Sequence, residues 1–388
     1  MGCDIMLMFI LRPLIFIGND RIEIRKEYMT KELFNQDLTD RLKEQILLRP
    51  ALEQEDAVKF VFQAMLGVGH LLSDPEIVTA YLVRETERLR ADPDEPLLEQ
   101  LSPAWCRLNL RRAMAEGLTP RMIAGMMLAS GNATRFNRQD VYETCGKLAE
   151  EGVIRLTGTA ELERVTDENR LPSHSAAYRE KYRPAYRVIS AAWIQLTEAV
   201  LRIARKNAGG GRLLVTLDGP CATGKTTLAE KLAQVFGAGV IHTDEYVIPH
   251  AQKTVERLSV PGGNCDAERL VREVAAPFHE GRPVRYRRYD CRADRFLDEE
   301  VLPPAQVLII EGSYCSLPAI RKYADVPLFL DAPWSVREAR LRERESPVFL
   351  RGFYERWIPL ENAYFEAYGL PDEACTVIRQ DPDSLFLP

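Results

Sequence analysis

Hydrophobic positions in the first half of this chain recur at intervals of three and four. The spacing is clearest over residues 57–65, 77–89 and 141–148, and it gives a helix one buried stripe. Strand-like runs are nearly absent between Lys31 and Lys206. The pattern therefore predicts a mainly helical domain over residues 29–207 that closes on a long helix through residues 186–204. Gly209, Gly210 and Gly211 then interrupt the periodicity and mark a boundary. Beyond them the period changes. Short β-rich runs at 213–217, 240–242, 307–310, 328–330 and 376–378 alternate with helical stretches. That alternation predicts, for residues 212–388, an α/β fold with a doubly wound parallel sheet and helices on both faces.

Length agrees with two domains, since 388 residues exceed what a single core usually serves. With 46% hydrophobic and 28% charged residues the chain has the composition of a folded globular protein. A net charge of −6 without a long basic run leaves no footprint for nucleic acid and directs attention to small-molecule partners. The eight cysteines are scattered without a C-x-x-C pair, which fits reduced thiols and a cytoplasmic location. Residues 5–17 are apolar, but Arg12 and Pro13 interrupt them, no basic residue precedes them, and they fall short of a bilayer span. Residues 1–28 thus read as a buried leading strand or as sequence ahead of a start near Met29, not as a membrane anchor.

Chemistry enters with Gly219, Pro220, Cys221, Ala222, Thr223, Gly224, Lys225 and Thr226, which match G-x-x-x-x-G-K-[ST] between an apolar strand and a helical run. Glycines let the backbone wrap phosphate oxygens and aim N–H groups at them from the start of a helix, into which Thr227 extends the cradle. Lys225 supplies a cation at the terminal phosphates and Thr226 a hydroxyl for Mg²⁺. A glycine-rich turn with an incidental lysine is the competing reading, and the flanking strand and helix count against it.

Three acids follow predicted strands, at the strand ends where parallel sheets hold ligands. Glu311 closes 307–310 and suits Mg²⁺, directly or through water, unless it only caps a loop. Asp244 and Glu245 follow 240–242. Asp244 is the candidate base for an acceptor hydroxyl, with Glu245 as its substitute; solvated loop charge is the alternative for both. Arg337, Arg340 and Arg344 share one face of a predicted helix and can close over a transferring phosphoryl group. The interspersed Glu338, Glu343 and Glu345 suit a plain ion-paired helix equally.

In order, the loop GPCATGKTT, the segment VIHTDEY, the strand and turn VLIIEGSY, and REARLRER followed by RWIPLENAYF resemble the uridine kinase and phosphoribulokinase family of P-loop kinases. The resemblance spans residues 212–388. It implies the nucleoside monophosphate kinase-like sheet, use of ATP and Mg²⁺, and Asp244 at the acceptor hydroxyl. It also implies Glu311 near the metal, and Arg340 and Arg344 in a closing lid. Tyr289 and Asp290, with Glu245 and Tyr246, fall where such kinases shape the acceptor pocket, although core packing would explain the tyrosines as well. The pair Asp244-Glu245 departs from the acid-x-aromatic-aromatic run of uridine kinases, so a nucleoside is only one candidate acceptor. Arg356 and Glu361 read as structural.

These readings converge on an ATP-dependent kinase that phosphorylates a small-molecule hydroxyl, with a homo-oligomer compatible with the sequence. The alternatives are a P-loop ATPase switch and a nucleotide-binding regulatory protein; the absence of an N-K-x-D string counts against a GTPase switch. In the helical half, Gly67-Val68-Gly69-His70 reads as a helix-ending turn or a ligand loop. Leu171-Pro172-Ser173-His174-Ser175, followed by Tyr178, Tyr182 and Tyr186, reads as an aromatic core stripe or a docking element.

Overall fold

In the computed structural model the described residues are 31–67, 74–131, 136–156, 160, 162–163, 171–291 and 293–380. The apolar leader and residues 68–70 of the Gly-rich turn lie outside them. These described residues divide into two compact units, 31–194 and 195–380. The division falls inside the helix Ala192–Ala208 and ahead of the glycine run. Residues beyond 194 belong with the second unit because of what they touch: Arg202 donates to Ala374 O at 3.0 Å and to Thr376 Oγ1 at 2.8 Å. Among the described residues no helix is long and apolar enough to cross a membrane.

The first unit is helical, as its periodicity predicts. Helices Lys31–Leu48, Gln54–Leu66 and Arg138–Glu150 bury Leu38, Leu42, Phe60, Val61, Met65, Val141, Cys145 and Leu148 around Trp105. It also holds a three-stranded antiparallel sheet that the sequence does not announce: β1 (Leu98–Gln100), β2 (Trp105–Asn109) and β3 (Tyr186–Ser190), with β2 central. The expected helix over 186–204 is thus corrected. Arg183 takes a left-handed φ of 43° and Pro184 follows, which ends the helix Ala176–Tyr182; residues 186–190 then pair with β2, and helix resumes at Ala192. Tyr186 accordingly does not continue the helical stripe of Tyr178 and Tyr182.

The second unit carries the predicted sheet. Its strands are β4 (Leu213–Asp218), β5 (Gly239–His242), β8 (Val307–Glu311), β9 (Val326–Asp331) and β10 (Thr376–Arg379). They run parallel in the order β10-β9-β4-β8-β5. Every residue of β4 and β8 is buried, as expected of central parallel strands covered on both faces. Between β5 and β8 the chain makes an antiparallel hairpin, β6 (Arg285–Asp290) and β7 (Arg295–Val301), with an irregularity between Arg287 and Tyr289. Register fixes the site. Leu217 and His242 flank Glu311 on either side, so the ends of β4, β8 and β5 deliver their loops to one edge.

Candidate active site

At the end of β4 the backbone turns through Gly219, with φ 141°, and reaches the helix Lys225–Phe236 through Ala222 (φ 61°) and Gly224 (φ 93°). A side chain at Gly219 would place its Cβ 2.1 Å from Leu330 O, so the loop can lie this close to β9 only with glycine there. The first N–H groups of the helix, at Lys225, Thr226 and Thr227, lie ahead of any intrahelical acceptor and are available to an anion. Lys225 is only 8% exposed, and its Nζ donates to Gly219 O at 2.8 Å and Pro220 O at 2.9 Å. Thr223 Oγ1 bonds Pro220 O, and Gln380 Nε2 donates to Thr223 O at 2.6 Å.

Side chains distant in sequence brace this loop. Asp218 is fully buried and accepts from Gly219 N at 2.8 Å, Ser316 N at 2.9 Å and the Tyr364 hydroxyl at 2.7 Å. Burial drives its carboxyl upward against those three donors. Glu361 accepts from Cys221 N at 2.9 Å and from Ser313 Oγ at 2.5 Å, tying the loop to the turn after β8. The Cys221 thiol is pushed up to about 12, first by burial and then by the Glu361 charge, so it stays protonated and is no nucleophile.

Glu311 is buried beside the loop. Its Oε1 accepts from Thr226 Oγ1 at 3.0 Å and meets His242 Nδ1 at 2.5 Å. The hydrogen bond to Glu311 raises His242 above its ordinary range, with burial opposing. Two hard oxygen donors, Thr226 and Glu311, are thereby adjacent. They fit Mg²⁺, which takes one or two protein oxygens and fills its shell with water and phosphate. Among the described residues no three His, Cys, Asp or Glu side chains group into a cage of their own. The turn after β8 depends on Gly312, with φ 123°, where a Cβ would stand 2.1 Å from Thr243 Oγ1.

Asp244 sits in the short turn Thr243–Glu245 after β5. Its side chain is open to solvent by area, while protein crowds it from most sides. Loss of hydration first, and the Glu311 charge second, push its carboxyl up to about 6; Lys225 and His242 oppose the rise. The carboxylate is thus reachable by a ligand while protein replaces part of its hydration shell.

The remaining predicted residues divide. Arg340 Nη1 donates to Ala222 O at 3.1 Å and Thr223 O at 3.0 Å, and Arg337 Nη1 lies 3.5 Å from Cys221 O, so both meet the phosphate loop. Among the described residues Arg344 instead pairs with Glu345 at 2.6 Å and lies over Phe353. Arg342 pairs with Glu338, the ion-paired alternative on the other face. Tyr246 is fully buried beneath the Arg269 guanidinium, 4.1 Å from its ring centre, and is a core residue, not an acceptor contact. Tyr289 is buried against Phe296 and its hydroxyl bonds Asp294, while Asp290 accepts from Ala293 N at the hairpin turn; packing and turn geometry account for both. Glu245 stays near the site, its carboxylate 3.9 Å from Arg288 and raised by burial.

Sequence reasoning missed Asp218, His242 and Ser313, and it assigned Glu361 to structure without seeing that the structure in question is the phosphate loop. Asp218 alone had a local signal, standing directly before Gly219 at the end of an apolar strand.

No family model matches the chain, and no curated protein does. Solved structures do resemble it. One is described as a possible uridine kinase from Bacillus stearothermophilus, at 19% identity and a TM-score of 0.36, covering 47% of this chain and 99% of that one. Another, a candidate fructose transport system kinase from a Silicibacter species, gives 24% identity and a TM-score of 0.38, covering 47% of this chain and 98% of its own.

Proposed function

We propose that the second unit transfers the γ-phosphoryl group of ATP to the hydroxyl of a small molecule, with Mg²⁺ held by Thr226 and Glu311. One observation carries this reading: an anion-binding loop with its lysine, an oxygen pair suited to Mg²⁺, and a carboxylate of raised pKa all stand at one edge of the parallel sheet. When bound, Mg²⁺ neutralises charge on the phosphates. Lys225 adds a buried cation there, and the helix N–H groups fix the polyphosphate. Asp244 orients the acceptor hydroxyl and takes its proton as the oxygen attacks. Arg340 and Arg337 hydrogen-bond the loop carbonyls and so help to fix the curve of the loop.

Mixing the purified protein with Mg·ATP and a panel of nucleosides, sugars and vitamins tests the reading. At least one acceptor should raise ADP release well above the rate with none. Equal, slow hydrolysis with every compound would instead favour an ATPase switch.

Glu361 gives a second check. It braces Cys221 N–H and touches no reacting atom, so Glu361→Ala should raise the KM for ATP several-fold while kcat changes less. The variant should also lose about 2 kcal/mol of stability, because a buried N–H and hydroxyl lose a charged acceptor. Unchanged KM and melting temperature would show the brace to be idle.

A further inference from the structure

Strand pairing carries β5 and β8 together as far as His242 and Glu311, and there the ladder ends. Asp244 lies two residues beyond it, in the three-residue turn Thr243–Glu245, with its own side chain exposed. A base that meets a hydroxyl in line with a phosphoryl group has little latitude, since the reacting atoms must approach within about 3–3.5 Å in a fixed direction. Groups past the ladder therefore have to hold this turn.

Its two ends are held differently. At the far end the buried Arg269 donates from Nη2 to Glu245 O at 2.9 Å and covers the Tyr246 ring, while Tyr246 N closes the turn on Thr243 O at 2.8 Å. At the near end stands Thr243, 3% exposed, whose hydroxyl donates to Ser313 O at 2.8 Å. That acceptor is 70 residues away, so the bond is not one that threonine makes within its own turn or helix. The backbone leaves room for it: Gly312, with φ 123°, omits the Cβ that would stand 2.1 Å from this hydroxyl.

The turn to which Thr243 is tied is itself fixed to β4 and the phosphate loop in three places. Gly312 N donates to Leu217 O at 3.1 Å. Ser313 Oγ donates to Glu361, which also takes Cys221 N, and Ser316 N donates to Asp218, which also takes Gly219 N. Ser313 thus meets the support of the phosphate loop through its side chain and the turn of Asp244 through its carbonyl. Both ends of the site join at this residue.

We infer that Thr243 is a positioning residue: through Ser313 O it fixes the turn of Asp244 relative to the phosphate loop, and so aligns the acceptor hydroxyl with the phosphoryl group. The inference rests on the reading of Asp244 as the base. It is separate from the part played by Glu361, which bears on a loop amide and hence on ATP.

Thr243→Val keeps the shape of the side chain and removes the donor. With an acceptor that stimulates ADP release, it should lower kcat about ten- to a hundredfold, the scale for misplacing a reacting group from a distance, and leave the KM for ATP within about twofold. Thr243→Ser keeps the hydroxyl and should stay within about threefold of wild type. The same substitution placed in Asp244→Asn decides the matter. A residue that acts through Asp244 has no base left to position there, so adding Thr243→Val should change kcat by less than about threefold. Losses that multiply in the double variant would make Thr243 a general support of the fold and overturn the inference. So would an unchanged kcat in Thr243→Val, or a loss in Thr243→Ser as large as in Thr243→Val. If Asp244→Asn alone is as active as wild type, the base reading fails first and the inference falls with it. Should Thr243→Val fail to fold, Thr243→Ala removes the same donor without adding a methyl group in its place and is used in the same comparisons.

Discussion

Replacing Asp244 by Asn should lower kcat about a thousandfold and leave ATP binding nearly unchanged, the loss expected when a general base is removed and its shape kept. The pH profile should change with it. A base acts as carboxylate, and this carboxyl is pushed up to about 6 by burial and by Glu311. Wild-type turnover should therefore fall on the acid side as this carboxyl takes up its proton, and Asp244→Asn should lack that acidic limb. Stability supplies an independent sign. A carboxyl whose pKa is raised by folding binds its proton more tightly folded than unfolded, so its contribution is present at low pH. That contribution fades as pH rises from the ordinary carboxylate range through about 6. At pH 7 the charged Asp244 is thus unfavourable to the fold, and Asp244→Asn should melt no lower than wild type. A variant that loses ATP affinity or melting temperature in proportion to its activity would remove Asp244 from the role of base.

How much of this site was legible follows from the range of the contacts that build it. The five parallel strands were visible because strands buried on both faces are continuous apolar runs, and the phosphate loop because its conformation imposes glycine at fixed spacing. Asp244 and Glu311 were visible as acids directly after such runs. The braces were not. Glu361 reaches Cys221 across 140 residues, Tyr364 reaches Asp218 across 146, and His242 reaches Glu311 across 69. Each depends on strand order or helix placement that no local pattern encodes. Tyr246 misled for a related reason: in sequence it belongs to the acidic turn, yet Arg269 covers its ring and takes it into the core. In the first unit, β1 has three residues and β2 carries Arg107 among buried positions, so neither gives a strand signal; β3 runs into an apolar period that belongs to the next helix.

Lys225→Ala should reduce phosphoryl transfer by a thousandfold or more, the scale for losing a preorganised charge at a developing anion in a site poor in water. The residue has two jobs in this fold, and the experiment must separate them. Its ammonium would face the terminal phosphates, and it also donates to Gly219 O and Pro220 O, holding the loop in its curve. Lys225→Met retains the buried stem and removes the charge, so it isolates the electrostatic part. If charge is what matters, Lys225→Met and Lys225→Ala should lose turnover alike, with Lys225→Met melting higher of the two. Lys225→Arg should not restore activity, since a planar guanidinium does not fit a position that is 8% exposed and bounded by two carbonyls. If Lys225→Met instead retains turnover within tenfold of wild type, the lysine serves loop shape alone, and the charge on the transferring group must be met by Arg337 or Arg340, the two cations already at the loop.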